Sequence, residues 1–187
     1  MTFSNPAAGA AASAQSYVRA LLELLGDRQP LDVLPELMPW LAARLRGVPE
    51  QALRRPEAQG KWSVTQVVQH LADSELVFGF RGRMILSEDR PALQGYDQDR
   101  WASLFRYGEV LWESALAQLG ALRDANLAVL RRLGPAELER VGMHSERGPE
   151  SLGHLMKLMA AHDLVHRRQI ERVLAAAAGV SGVIVSP

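Results

Sequence analysis

Apolar residues recur every three to four positions over long stretches of this chain, which is the period of an amphipathic helix. The run YVRALLELL over 17–25 predicts a short helix closed by Gly26, with Pro30 beyond it. Leu37, Leu41 and Leu45 share a register over 34–45, and Pro35 falls in the first turn, where proline is tolerated. The breaker-rich VPEQALRRPEAQGK predicts a connector. Ser63 is the expected N-cap of a helix over 64–86, whose apolar face carries Val67, Val68, Leu71, Phe78 and Ile85.

The stretch SEDRPALQGYDQDRW predicts a loop with a short helical turn near 97–105. A long helix over 109–133 should stop at Gly134–Pro135, and 139–149 reads as a second irregular loop. Ser151 caps a last helix running to Ala178, with Gly179 as its stop. No stretch alternates with the period of a strand over a useful length, and no internal repeat is visible. The pattern predicts an all-α fold, a four-helix bundle with long connecting loops and a short extra N-terminal helix. One domain is expected over 16–178, between a flexible N-terminal tail at 1–15 and a C-terminal tail at 179–187. The terminal GVIVSP reads equally as an ordered tail, a subunit contact or a disordered end.

At 187 residues, one such domain buries a substantial core without a metal or disulfide staple. The 21 basic and 21 acidic residues cancel, which argues against a nucleic-acid partner. Arginine supplies nearly all the positive charge, Lys61 and Lys157 being the only lysines. The pairs Arg54–Arg55, Arg131–Arg132 and Arg167–Arg168 read as solvated edges. The chain has no cysteine, so disulfides, thiolate ligands and a cysteine nucleophile are excluded. Any thiol used in its chemistry must arrive on a small molecule. The first residues lack the basic start and apolar core of a secretory signal. No apolar run reaches the roughly 18 residues of a membrane span. A cytoplasmic protein with no membrane partner is the expectation.

Candidate chemistry lies in His70, His162 and His166. The HDLVH pair is four residues apart, which on a helix puts both rings on one face with Cβ atoms about 5–6 Å apart. At about 100° per residue, Leu155, Leu158, His162, His166, Gln169 and Val173 form one stripe, so the pair lies in the core-facing seam. Buried imidazoles need partners for their nitrogens, and a divalent metal supplies them. With His70 from a neighbouring helix, three imidazoles hold such an ion and leave coordination positions open. Zinc, nickel, iron and manganese all accept this donor set, zinc and nickel being favoured.

A zinc peptidase helix needs Glu directly after its first histidine. Asp163 stands there instead, so peptidase chemistry is not expected, and Asp163 is assigned to orienting a ligand or to a surface pair. His144 and His154 lie off the stripe or in a loop and read as non-ligands, His144 being a weak candidate for the pocket mouth. Four further polar residues are candidates for supporting roles, against structural ones. Asp73 could accept the second ring N–H of His70. Gln169 could bond water at the metal. Arg81 and Arg83 could receive an anionic substrate group.

Taken together, KWSVTQVVQHLADSELVFGFR, DRPALQGYDQDRW and AAHDLVHRRQI resemble the DinB-like superfamily of bacterial four-helix bundles, also described as YfiT-like metal-dependent hydrolases. The resemblance spans 17–174. It implies that His70, His162 and His166, which match the family's three histidines, bind a divalent metal. It implies an activity toward a small molecule, either hydrolysis or the thiol-dependent transfer seen in members that use low-molecular-weight thiols. A metal would lower the pKa of such a cosubstrate thiol as it does that of water. The resemblance also implies a homodimer. A non-enzymatic alternative is a metal-binding stress-response bundle acting through protein partners.

Overall fold

The computed structural model describes residues 11–181, with side chains described over 15–179. The outer parts of both expected tails, including the whole GVIVSP run, lie outside the described residues.

Helix ends follow local chemistry. Helix α1 (Ala11–Leu25) stops before Gly26, whose φ of 61° suits glycine. Helix α2 (Pro30–Val33) starts on its proline and passes through a 3-10 turn at Leu34–Glu36 into α3 (Leu37–Leu45). The segment predicted as one helix over 34–45 is thus broken at Pro35, which has no N–H to continue the ladder. A single turn, α4 (Glu50–Leu53), interrupts the connector. Helix α5 (Val64–Ser87) opens on a reciprocal capping box between Ser63 and Gln66. Asp97 caps α6 (Gln98–Leu104) by accepting from the amides of Asp99 and Arg100, both at 3.0 Å. A 3-10 turn at Tyr107–Glu109 leads into α7 (Trp112–Leu130), which is followed by the single turn α8 (Pro135–Leu138). Helix α9 (Leu152–Ser181) runs for 30 residues and passes through Gly179 without stopping.

The four longest helices are α1, α5, α7 and α9, and they form the bundle: α5 packs on α7 and α9, and α1 lies along α9. The N-terminal helix is therefore a full rod, longer than the short extra helix expected. Its Ala-rich start carries no apolar periodicity but has high helix propensity. Leu37, Leu41, Leu45 and Leu53 are fully buried against Val64, Val67, Val68 and Leu71. Each such leucine contributes roughly 1.5–3 kcal/mol of transfer free energy.

The loops hold strands that hydrophobic alternation did not reveal. Strand β1 (Ala92–Leu93) pairs in parallel with β2 (Val141–His144), which pairs antiparallel with β3 (Gly148–Ser151). At two to four residues, carrying Gly142, Gly148 and Pro149, they are too short and too breaker-rich to show a period. At Gly142 a Cβ would meet Leu93 and Ile85 side-chain atoms at 2.6–3.0 Å, so only glycine lets the sheet seat against α5. Strand β3 delivers Ser151, which caps α9 by accepting from the His154 amide at 3.1 Å. The little sheet thereby packs on the last turns of α5 and the first turn of α9, through Ile85, Leu93 and Leu152. No helix among the described residues is long and apolar enough to cross a membrane.

Candidate metal centre

His70 faces inward from the first half of α5, and His162 and His166 stand one turn apart in α9. His70 Nε2 and His166 Nε2 each lie 3.1 Å from His162 Nε2. One ring nitrogen from each of the three falls within 4.8 Å of the others. Bonds of about 2.0–2.1 Å to a tetrahedral ion place neighbouring nitrogens about 3.4 Å apart, so the spacing is that of a donor set. Among the described residues this is the only group of three or more potential ligand side chains that converges so.

His70 and His166 are buried and His162 is half-buried. Burial lowers all three pKa values, and mutual repulsion lowers His70 and His162 further; His166 is pushed down to about 4. All three are therefore neutral at pH 7, the form in which imidazole is a ligand. The Trp62 ring stands 5.0 Å from the His70 ring, and the Phe78 ring 6.0 Å from that of His162. These contacts fix the ring planes. The donor set fits a divalent transition metal.

Gln169 does something other than expected. Its Oε1 accepts from His166 Nδ1 at 2.7 Å, so it binds the ring instead of reaching for water at the metal. A proton on Nδ1 leaves the Nε2 lone pair bare and aimed at the cluster. Asp73 does not play the matching part for His70. Its oxygens accept from Tyr107 Oη at 2.5 Å and Gln69 Nε2 at 3.1 Å, and His70 Nδ1 has no partner. The i+3 spacing allows such a bond, as His166 and Gln169 show, but Tyr107 and Gln69 hold the Asp73 carboxylate away from the ring.

Asp163 is neither a ligand-orienting group nor a surface pair. It is buried, and Arg123 of α7 grips it with two bonds of 2.6 and 3.0 Å. The same guanidinium bonds Glu75 at 3.0 Å and the Leu34 carbonyl at 2.7 Å, while Asn126 bonds Glu75 at 2.8 Å. Burial works against charge on Arg123, but Asp163 and Glu75 outweigh it. This network ties α5, α7 and α9 together directly behind the histidines. Its sequence signal was Arg123 and Asn126 on the α7 face that also carries Ala115, Leu119 and Leu130, all buried.

The two arginine candidates part company. Arg83 is exposed, bonding Asn126 Oδ1 at 2.7 Å and the Gly79 carbonyl at 2.8 Å, and belongs to the α5–α7 contact. Arg81 is buried and donates to the Gln94 carbonyl. Ser74, one turn after His70, was missed: its Oγ lies 3.4 Å from His70 Nε2 and 2.9 Å from Tyr96 Oη. The i+4 spacing from His70 was the available signal; Tyr96, on an irregular loop, had none. His144 is buried on β2 with its Nδ1 accepting from the Glu146 amide at 3.2 Å, and His154 lines a groove beside α1.

With this geometry in hand, the likenesses to known proteins gain meaning. A family model described as the DinB superfamily matches residues 40–170. A protein of Oceanobacillus iheyensis named "Putative metal-dependent hydrolase" is 34% identical over 111 residues, 59% of this chain and 64% of that one. One of Bacillus licheniformis with the same designation is 30% identical over 171 residues, covering 91% of this chain and 90% of that protein. The solved structure of YfiT from Bacillus subtilis superposes with a TM-score of 0.72 at 27% identity, covering 81% of this chain and 86% of that one. It is described as "a probable metal-dependent hydrolase with an unusual four-helix bundle topology".

Proposed function

This chain belongs to the DinB superfamily, and from that premise we propose that it is a metal-dependent enzyme acting on a small molecule, with hydrolysis as its reaction. The observation that carries the reading is the convergence of the His70, His162 and His166 Nε2 atoms, all neutral, with the His166 tautomer set by Gln169. His70, His162 and His166 would hold the ion, zinc or nickel being favoured by imidazole donors. When bound, a divalent ion supplies Lewis acidity, which makes a water or a small thiol nucleophilic at neutral pH.

The chain's own groups do the rest. Three neutral ligands leave the ion's charge uncompensated, which favours an anionic nucleophile or substrate group nearby. The Ser74 and Tyr96 hydroxyls, bonded to each other beside His70, offer a donor and an acceptor to a substrate oxygen. Tyr96 keeps its proton, because burial raises its pKa. Asp163 is engaged by Arg123 and is not free to act as a base, which fits a non-peptidase reaction.

A screen of ester, amide and lactone substrates with metal-stripped and zinc- or nickel-reloaded protein tests this reading, with low-molecular-weight thiols in a parallel set. Turnover that needs both metal and His162 supports it. Turnover appearing only with a thiol present would move the assignment to thiol transfer, and metal-independent turnover would refute it.

A further inference from the structure

Arg81 is a charge with no carboxylate in direct contact, Glu150 and Glu146 acting on it only from a distance. It lies on the same stripe of α5 as His70 and Ser74, and its guanidinium is buried. Among the described residues its only hydrogen-bond partner is the Gln94 carbonyl, and no carboxylate comes within ion-pairing distance. Glu150, the buried acid that faces it, is occupied by Arg147 with bonds of 2.5 and 2.8 Å. A buried, unpaired guanidinium is costly, and a fold keeps one where a ligand supplies the missing charge.

A second observation points to the same space. His144 is 4% exposed, yet its Nε2 has no partner. It is reached through the same elements, since Leu93 pairs with His144 across the β1–β2 ladder and Arg81 is bonded to the next residue, Gln94. Burial, with Arg147 and Arg81, pushes His144 down to about 4, so at neutral pH it is uncharged. Tyr96, two residues beyond Gln94, links this corner to Ser74 and so to His70.

We propose that Arg81, His144 and Tyr96 form a subsite for the carboxylate of a small acidic substrate, placing its reactive part toward His70, His162 and His166. The planar guanidinium fork matches a carboxylate. The charges around it select the class: Arg147 is paired with Glu150, His144 is neutral, and the Glu146 carboxylate beside Gly95 lowers the positive field further, so Arg81 suits a monoanion better than a phosphate dianion. The orientation toward the histidines rests on the metal-dependent reading above; the carboxylate site itself does not.

Propionate and inorganic phosphate are titrated into the full chain and followed by amide NMR shifts and by melting temperature. Propionate should give saturable shifts at Gln94, Tyr96 and Ser145, and bind more tightly than phosphate. Arg81→Met should weaken propionate at least tenfold, and Arg81→Lys, which keeps charge but loses the fork, should weaken it less. Without ligand, Arg81→Met should melt about 2–4 °C higher, because an unpaired buried charge has been removed. His70→Ala, which disables the metal site, should keep the propionate shifts, which separates this site from carboxylate bound to metal. Propionate binding that survives in a wild-type chain found to bind no metal would sink the metal reading and leave this one standing. No shifts, shifts lost in His70→Ala, tighter binding of phosphate, or Arg81→Met that melts lower or fails to fold would overturn the subsite.

Discussion

His166 Nδ1 and Gln169 Oε1 are 2.7 Å apart, and this one bond decides which nitrogen of His166 faces the other two rings. Without it, the Nδ1–H tautomer has no acceptor to favour it. Gln169→Leu should therefore weaken metal affinity about 10–100-fold while leaving the helix intact. Gln169→Glu should hold or raise affinity, since a carboxylate makes the ring more basic. Calorimetric titration of stripped protein with zinc reads both, and equal affinities across the three proteins would contradict the role.

The Arg123–Asp163–Glu75 network lies behind the site and is there for the fold. Arg123→Met leaves two carboxylates buried without their partner and should cost about 3–5 kcal/mol in urea unfolding. Variants that still fold should bind metal with unchanged stoichiometry. A loss below about 1 kcal/mol would show that Asp163 and Glu75 find other partners.

How much of this was legible in the sequence follows from what each element rests on. Ser63, Ser151 and the Leu37–Leu41–Leu45 register announced their helices because caps and 3.6-residue periods are local signals. The histidine stripe on α9 was legible for the same reason. Asp163 was misplaced because its partner, Arg123, is 40 residues away and nothing local tells a buried pair from an exposed one. Asp73 was misjudged on spacing alone: Tyr107, 34 residues on, takes its carboxylate. The strands at 92–93, 141–144 and 148–151 exist through pairing with one another, so single-segment alternation could not show them.

Gly79 meets Asn126 where α5 and α7 cross: a Cβ there would stand 2.6 Å from Asn126 Nδ2. Asn126 cannot swing away freely, because it is bonded to Glu75 and Arg83. Gly79→Ala should destabilise by about 1–3 kcal/mol despite better helix propensity. A melting temperature at or above wild type would show that the helices separate at little cost.

The depressed histidine pKa values make metal-free stability depend on pH in a stated direction. His166 moves from an ordinary 6.5 when unfolded to about 4 when folded. Between these values the unfolded chain holds the extra proton, so the stability from a neutral His166 is complete above about 6.5 and is lost as the pH falls toward 4. His70 and His162 shift the same way. Metal-free wild type should lose at least about 2 kcal/mol between pH 7.5 and 5.0. A shallower loss is expected in metal-free His166→Ala. Identical slopes would contradict the buried, neutral assignment.

The most direct test is elemental analysis of untagged wild type and His166→Ala, each reconstituted with one metal at a time and freed of excess by gel filtration, with circular dichroism as the fold control. Wild type should carry one divalent ion per chain, and folded His166→Ala should carry essentially none. Full metal retention in that variant, or a wild type that takes up no zinc, nickel, iron or manganese, would contradict the three-histidine centre.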